Sequence, residues 1–221
     1  MGKIVEFKSN GKNASGYLAS PDTIKGGIIV LQEWWGLNDH IKDLCNRFAA
    51  EGYLSLAPDM YDGTIAKEPD EAGKLMMALD IEQSGQKLNS AIDYLIEKTG
   101  KKIGTIGFCM GGALSLFAAC NAGDKIGACV DFYGIHPSIK YDWNNLTAPV
   151  LGLFAEHDDN VNPNIPIYEK ALKNHSKEFL FHTYPGTSHA FFNDTNIANY
   201  NKDAATDAWE RVLDLYQANI Q

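Results

Sequence analysis

The 221-residue chain holds 28 acidic and 19 basic side chains, for a formal net charge of −9, and is 45% hydrophobic and 21% charged. The acidic excess gives nucleic acid no electrostatic purchase, the ordinary composition argues against disorder, and no run approaches the ~18 apolar residues that a membrane-spanning helix needs. A chain of this size can bury roughly 70% of its unfolded surface in one core, so one domain over residues 1–221 is expected.

Short apolar runs alternate with helix-length segments, the pattern of a mostly parallel sheet covered by helices on both faces. Lys3 to Lys8 and Asn13 to Ala19 read as an antiparallel edge pair. Gly27 to Gln32 is a buried strand, Asp39 to Glu51 a helix, and Tyr53 to Ala57 a strand closed by Pro58. Helices are predicted over Asp70 to Ala78 and Gln83 to Lys98, then a strand over Ile103 to Phe108. Gly127 to Tyr133 and Val150 to Ala155 read as strands, joined by a loop containing His136-Pro137 and too short for a cap domain. Tyr168 to Asn174 is a helix and Glu178 to Tyr184 a strand. The closing helix, Asp203 to Ala218, carries Ala204, Ala208, Arg211, Leu215 and Ala218 near one face. The order is that of an α/β-hydrolase.

Met1 to Phe7 has no apolar signal region, and its sixth residue is Glu, where a myristoylation signal wants Ser or Thr. The four cysteines, Cys45, Cys109, Cys120 and Cys129, form no Cys-x-x-Cys pair, which argues against a metal site or a disulfide framework and for a reducing cytoplasm. Neither cofactor nor metal is expected, and monomer and homodimer stay open. Cys45, Cys120 and Cys129 read as small buried hydrophobes.

Cys109 reads otherwise. Gly107-Phe108-Cys109-Met110-Gly111 follows an apolar strand and precedes the helix-prone Gly112 to Ala119, which is the pattern of a nucleophile elbow with cysteine in place of serine. The flanking glycines remove Cβ atoms from a strained turn, and the helix N-terminus favours negative charge on the sulfur. An acyl-transfer cysteine needs a base and a group to orient that base, and in this fold both come later in the chain. Asp158 follows the strand Val150 to Ala155, with Asp159 as runner-up. His189 follows the strand ending near Tyr184; His157 and His136 lie on the same edge but fit the order less well, and His40, His175 and His182 fall inside elements. The oxyanion hole is assigned to the backbone N–H groups of Met110 and of Trp34, in the loop Leu31 to Gly36. Trp35, Met76 and Phe191, with Met77 and Phe192, suggest an apolar substrate pocket.

Gln32-Glu33, Asp59-Met60-Tyr61-Asp62-Gly63, the Cys109 elbow, Asp158 and Ser188-His189-Ala190-Phe191 together make the chain resemble the dienelactone hydrolase (carboxymethylenebutenolidase) family of the α/β-hydrolase superfamily. The resemblance implies hydrolysis of a small ester or lactone by Cys109 as nucleophile, His189 as base and then acid, and Asp158 as its orienter. It also implies that Glu33 controls ionisation of the cysteine. In the family two arginines grip a substrate carboxylate, one in the helical region after Gly63 and one four positions after the catalytic histidine. Here residues 64–80 contain no arginine and the second position is Asn193, which is expected to contact substrate together with Trp35, Met76 and Phe191; Lys67 or Lys74 could supply only a point charge. Dienelactone itself is therefore expected to be a poor substrate. Two alternatives stand beside this reading: a glutaminase-type amidohydrolase, which would use a His-x-Glu pair where this chain has His189-Ala190-Phe191, and a non-catalytic redox sensor, which has no need of Asp158 and His189.

Overall fold

The computed structural model describes residues 2–136 and 139–221. Eight strands form one sheet: β1 (Lys3–Ser9), β2 (Lys12–Ala19), β3 (Gly26–Leu31), β4 (Tyr53–Pro58), β5 (Ile103–Phe108), β6 (Ile126–Phe132), β7 (Val150–His157) and β8 (Phe179–Ser188). Their order across the sheet is β1-β2-β4-β3-β5-β6-β7-β8, with β1 and β2 antiparallel and β3 to β8 parallel. The central strands are buried at every residue and mostly apolar, interrupted only by Ser55, Thr105 and Asp131, as sheets covered on both faces require.

Six helices supply that cover: α1 (Asp39–Ala50), α2 (Pro69–Ala78), α3 (Ile81–Thr99), α4 (Met110–Ala122), α5 (Ile165–Asn174) and α6 (Lys202–Asn219). The pleat divides the core into two. Ile29 and Leu31 pack with α3, α4 and α5, while Ile28 and Val30 pack with α1 and α6. Helix α4 buries every residue from Met110 to Cys120, so it has no solvent face to stabilise and stays where the sheet holds it.

From β3 the chain builds outward to β4 on one side and returns to β5 on the other. The C-terminal ends of β3 and β5 therefore form the switch point where open α/β sheets bind ligands. The loops leaving β3, β5, β7 and β8 all open on this edge.

Three expectations need correction. On α6 the buried face is Ala204, Ala205, Ala208, Val212 and Tyr216 rather than one through Arg211 and Leu215. Tyr216 is drawn inward because its hydroxyl donates to the Thr105 carbonyl of β5 (2.9 Å), while Arg211 turns to Asp207. Strand β8 runs past Tyr184 to Ser188, since a register shift between Ala155 and His157 lets His157 pair with Ser188. Helix α5 begins three residues earlier than Tyr168, at Ile165. Pro137 of the β6–β7 connection lies outside the described residues; the His136 carbonyl accepts from the Tyr168 hydroxyl (3.1 Å).

Candidate active site

Cys109 stands between β5 and α4 with φ 55° and ψ −122°, a conformation that residues with a Cβ seldom adopt. The turn is held by its own backbone: the Cys109 N–H donates to the Phe132 carbonyl (3.0 Å), and the Gly112 N–H donates to the Cys109 carbonyl (2.9 Å). Space explains the glycines. A Cβ on Gly107 would strike the Gly111 carbonyl, and one on Gly111 would strike the carbonyls of Leu31 and Gln32. The second contact matters for the site, because it seats the end of β3 against the first turn of α4. The Glu33-Trp34-Trp35-Gly36 turn, closed by Gly36 N–H on the Glu33 carbonyl (3.4 Å), is thereby brought to the elbow. Met110, whose N–H belongs to the free first turn of α4, is buried beside it.

His189 and Asp158 meet across β7 and β8, with Nδ1 of the imidazole 2.5 Å from Oδ2 of the carboxylate. Asp158 is 4% exposed, and its other oxygen accepts from the Val161 N–H (3.2 Å). Behind the imidazole, the Asn199 side chain donates to the His189 carbonyl (2.8 Å). Burial alone would lower the His189 pKa, but hydrogen bonds to Asp158 and Cys109, and the charges of both, raise it from 6.5 to about 10. Asp159 and His157 are both exposed, so the carboxylate alternatives left open by the sequence separate here on burial and pairing.

Glu33 is 3% exposed. Burial drives its pKa from 4.5 up to about 7, against the lowering influence of the His189 charge and of a hydrogen bond from Asn193. That bond, Asn193 Nδ2 to Glu33 Oε2, measures 2.9 Å. Asn193 was expected to touch substrate, yet it is 6% exposed and both ends of its amide are taken: Oδ1 accepts from the Thr195 N–H (3.0 Å) and hydroxyl (2.6 Å). Phe191 also departs from expectation. It is fully buried against Tyr133, Phe132 and Tyr184, and so supports the site from beneath. Trp34 and Trp35 are half-buried in an edge-to-face pair (5.2 Å between centroids), Met76 is half-buried, and Met77 stands in solvent.

Two tyrosines to which the sequence assigned no role also stand here. The Tyr61 hydroxyl donates to the Met110 sulfur (3.3 Å), and burial and the nearby Cys109 raise its pKa. The Tyr133 ring lies 4.9 Å from that of His189. A tyrosine directly after an apolar strand and before Gly134 was the available signal for the second. A groove of about 980 Å³ runs between the β1–β2 hairpin and α2–α3 and meets this edge through Met60 and Tyr61. It is a surface trough rather than the pocket over Cys109.

The family model for the dienelactone hydrolase family matches residues 14–220. The chain belongs to the dienelactone hydrolase family. It is 38% identical to "Protein usf" of Aquifex pyrophilus, with 98% of each chain covered, and 31% identical to a "Putative carboxymethylenebutenolidase" of Aquifex aeolicus over the full length of both. Among solved structures it is similar to a "Putative Dienelactone Hydrolase" from Klebsiella pneumoniae, with a TM-score of 0.87, 28% identity and coverage of 98% and 99% of the two chains. Membership in the dienelactone hydrolase family carries the α/β-hydrolase fold and the reaction class, hydrolysis of an ester or lactone bond. It leaves the substrate open.

Proposed function

We propose that the chain, acting as one α/β-hydrolase domain, hydrolyses a small neutral carboxylic ester or lactone through a Cys109–His189–Asp158 triad. The observation that carries this reading is the buried Asp158 carboxylate on His189 Nδ1, beside a cysteine held in the elbow conformation.

In the proposed reaction His189 takes the thiol proton, and the Cys109 sulfur attacks the carbonyl carbon. The electron pair of the carbonyl moves onto oxygen, toward the N–H groups of Met110 and Trp34. Collapse expels the alkoxide, which takes the proton from His189 and leaves a thioester. Water then attacks, giving a proton to His189; the acid departs and the proton returns to sulfur. Asp158 keeps the imidazole oriented and offsets its charge throughout.

A neutral substrate is favoured by where the arginines are. Only Arg47 and Arg211 occur, and both are spent on carboxylates: Arg47 on Asp43 and Asp194, Arg211 on Asp207. No bidentate clamp is left for a substrate carboxylate. The test is hydrolysis of short p-nitrophenyl esters and neutral lactones. Cys109→Ala should remove it, whereas full retained activity would end the nucleophile assignment. Faster turnover of a carboxylate-bearing dienelactone than of neutral esters would overturn the substrate reading.

A further inference from the structure

Tyr133 sits at the end of β6 in a left-handed conformation, φ 42°, which is a true departure for a bulky residue. It is 1% exposed, and its hydroxyl hydrogen has no acceptor among the described residues. A buried unpaired hydroxyl and a strained backbone at one position both disfavour the folded state, and such costs collect where function requires them.

The surroundings point one way. The phenol faces the charges of Glu33 and Cys109, its ring lies 4.9 Å from the His189 ring, and the Phe192 N–H approaches from the remaining side. Phe132 and Phe191 pack edge-on against the ring and fix its direction. The backbone is fixed too, since the Tyr133 N–H donates to the Leu153 carbonyl (2.9 Å). Its neighbours can accept a proton once they are charged, and Tyr133 is the group that can donate one.

We propose that the Tyr133 hydroxyl is a catalytic donor held in reserve, unpaired at rest and donating to the negative charge that develops beside Cys109 and Glu33 during turnover. This rests on the reading of Cys109 as nucleophile. A donor already aimed at the developing charge needs no reorganisation when the reaction occurs, which is the condition under which such groups accelerate a step.

The experiment compares wild type, Tyr133→Phe and Cys109→Ala for steady-state hydrolysis of a p-nitrophenyl ester and for melting temperature. Y133F keeps the ring and its packing. It should lower kcat by about 10- to 100-fold with KM within about twofold, and its melting temperature should stay close to that of wild type, since the hydroxyl hydrogen has no native acceptor to lose. An unchanged kcat, or a loss confined to KM, would overturn the proposal. So would a lowered melting temperature, because it would mean that the hydroxyl is already paired in the folded protein. The two readings separate cleanly: an active Cys109→Ala removes the nucleophile, whereas an inactive Cys109→Ala beside an unimpaired Y133F removes only the role of Tyr133.

Discussion

His189 and Glu33 are shifted in the same direction, and through both groups stability falls as pH rises. A histidine whose pKa rises from 6.5 to about 10 on folding adds stability that is complete below 6.5 and lost as pH rises toward 10. Asp158→Asn weakens the hold on the imidazolium, so the alkaline fall in melting temperature over that window should flatten, and kcat should drop by orders of magnitude. Glu33 is the reverse of the usual carboxylate. Its folded state holds a proton between 4.5 and about 7 that the unfolded chain has released, so it withdraws stability as pH rises through that window. Glu33→Gln mimics the protonated form and can keep an oxygen toward Asn193. Its melting temperature should match wild type at pH 4 and exceed it by several degrees at pH 8, a comparison that differential scanning calorimetry makes directly. At this scale the sequence singled out Cys109, Asp158 and His189, because spacing and chain order restrict the choice, and the structure pairs the last two. It did not disclose that Asn193 spends its amide on Glu33 and Thr195, or that Phe191 points into the core. Which way a loop side chain faces depends on partners distant in sequence, here 160 residues away.

Among the elements, the elbow is a steric device before it is a chemical one. Gly107→Ala would drive a methyl into the Gly111 carbonyl and should cost about 3 kcal/mol or more, read from chemical denaturation. The loop after β8 is held from outside the site. Arg47 of α1 grips Asp194 (2.5 Å), the residue next to Asn193, while buried His40 lies 3.6 Å from the same carboxylate. Burial lowers the His40 pKa to about 4 despite that neighbour. Arg47→Met should therefore loosen the support of Glu33 and reduce kcat only a few-fold, with a stability loss of about 1 kcal/mol or less, since the pair is partly exposed. The strands were readable because each central one is a mostly apolar run with at most one polar residue in it. The inward face of α6 was not, because Tyr216 turns to a β5 carbonyl that no local pattern reveals.

At the scale of the whole molecule, two half-cores clamp one sheet, and the loops bearing chemistry leave the same edge because parallel strands end together. That arrangement follows from alternation of apolar runs and helices, which is why the fold class was legible. The partners of the two arginines were not. Both fall on helices predicted to lie away from the site, and each is tied to aspartates on its own helix or a nearby loop. A consequence follows for encounter rates. With a net charge of −9 and no free guanidinium at the site, the protein offers no attractive field to guide anions inward. For neutral esters kcat/KM should stay flat between low and high ionic strength, whereas for an anionic ester it should rise as added salt screens the repulsion.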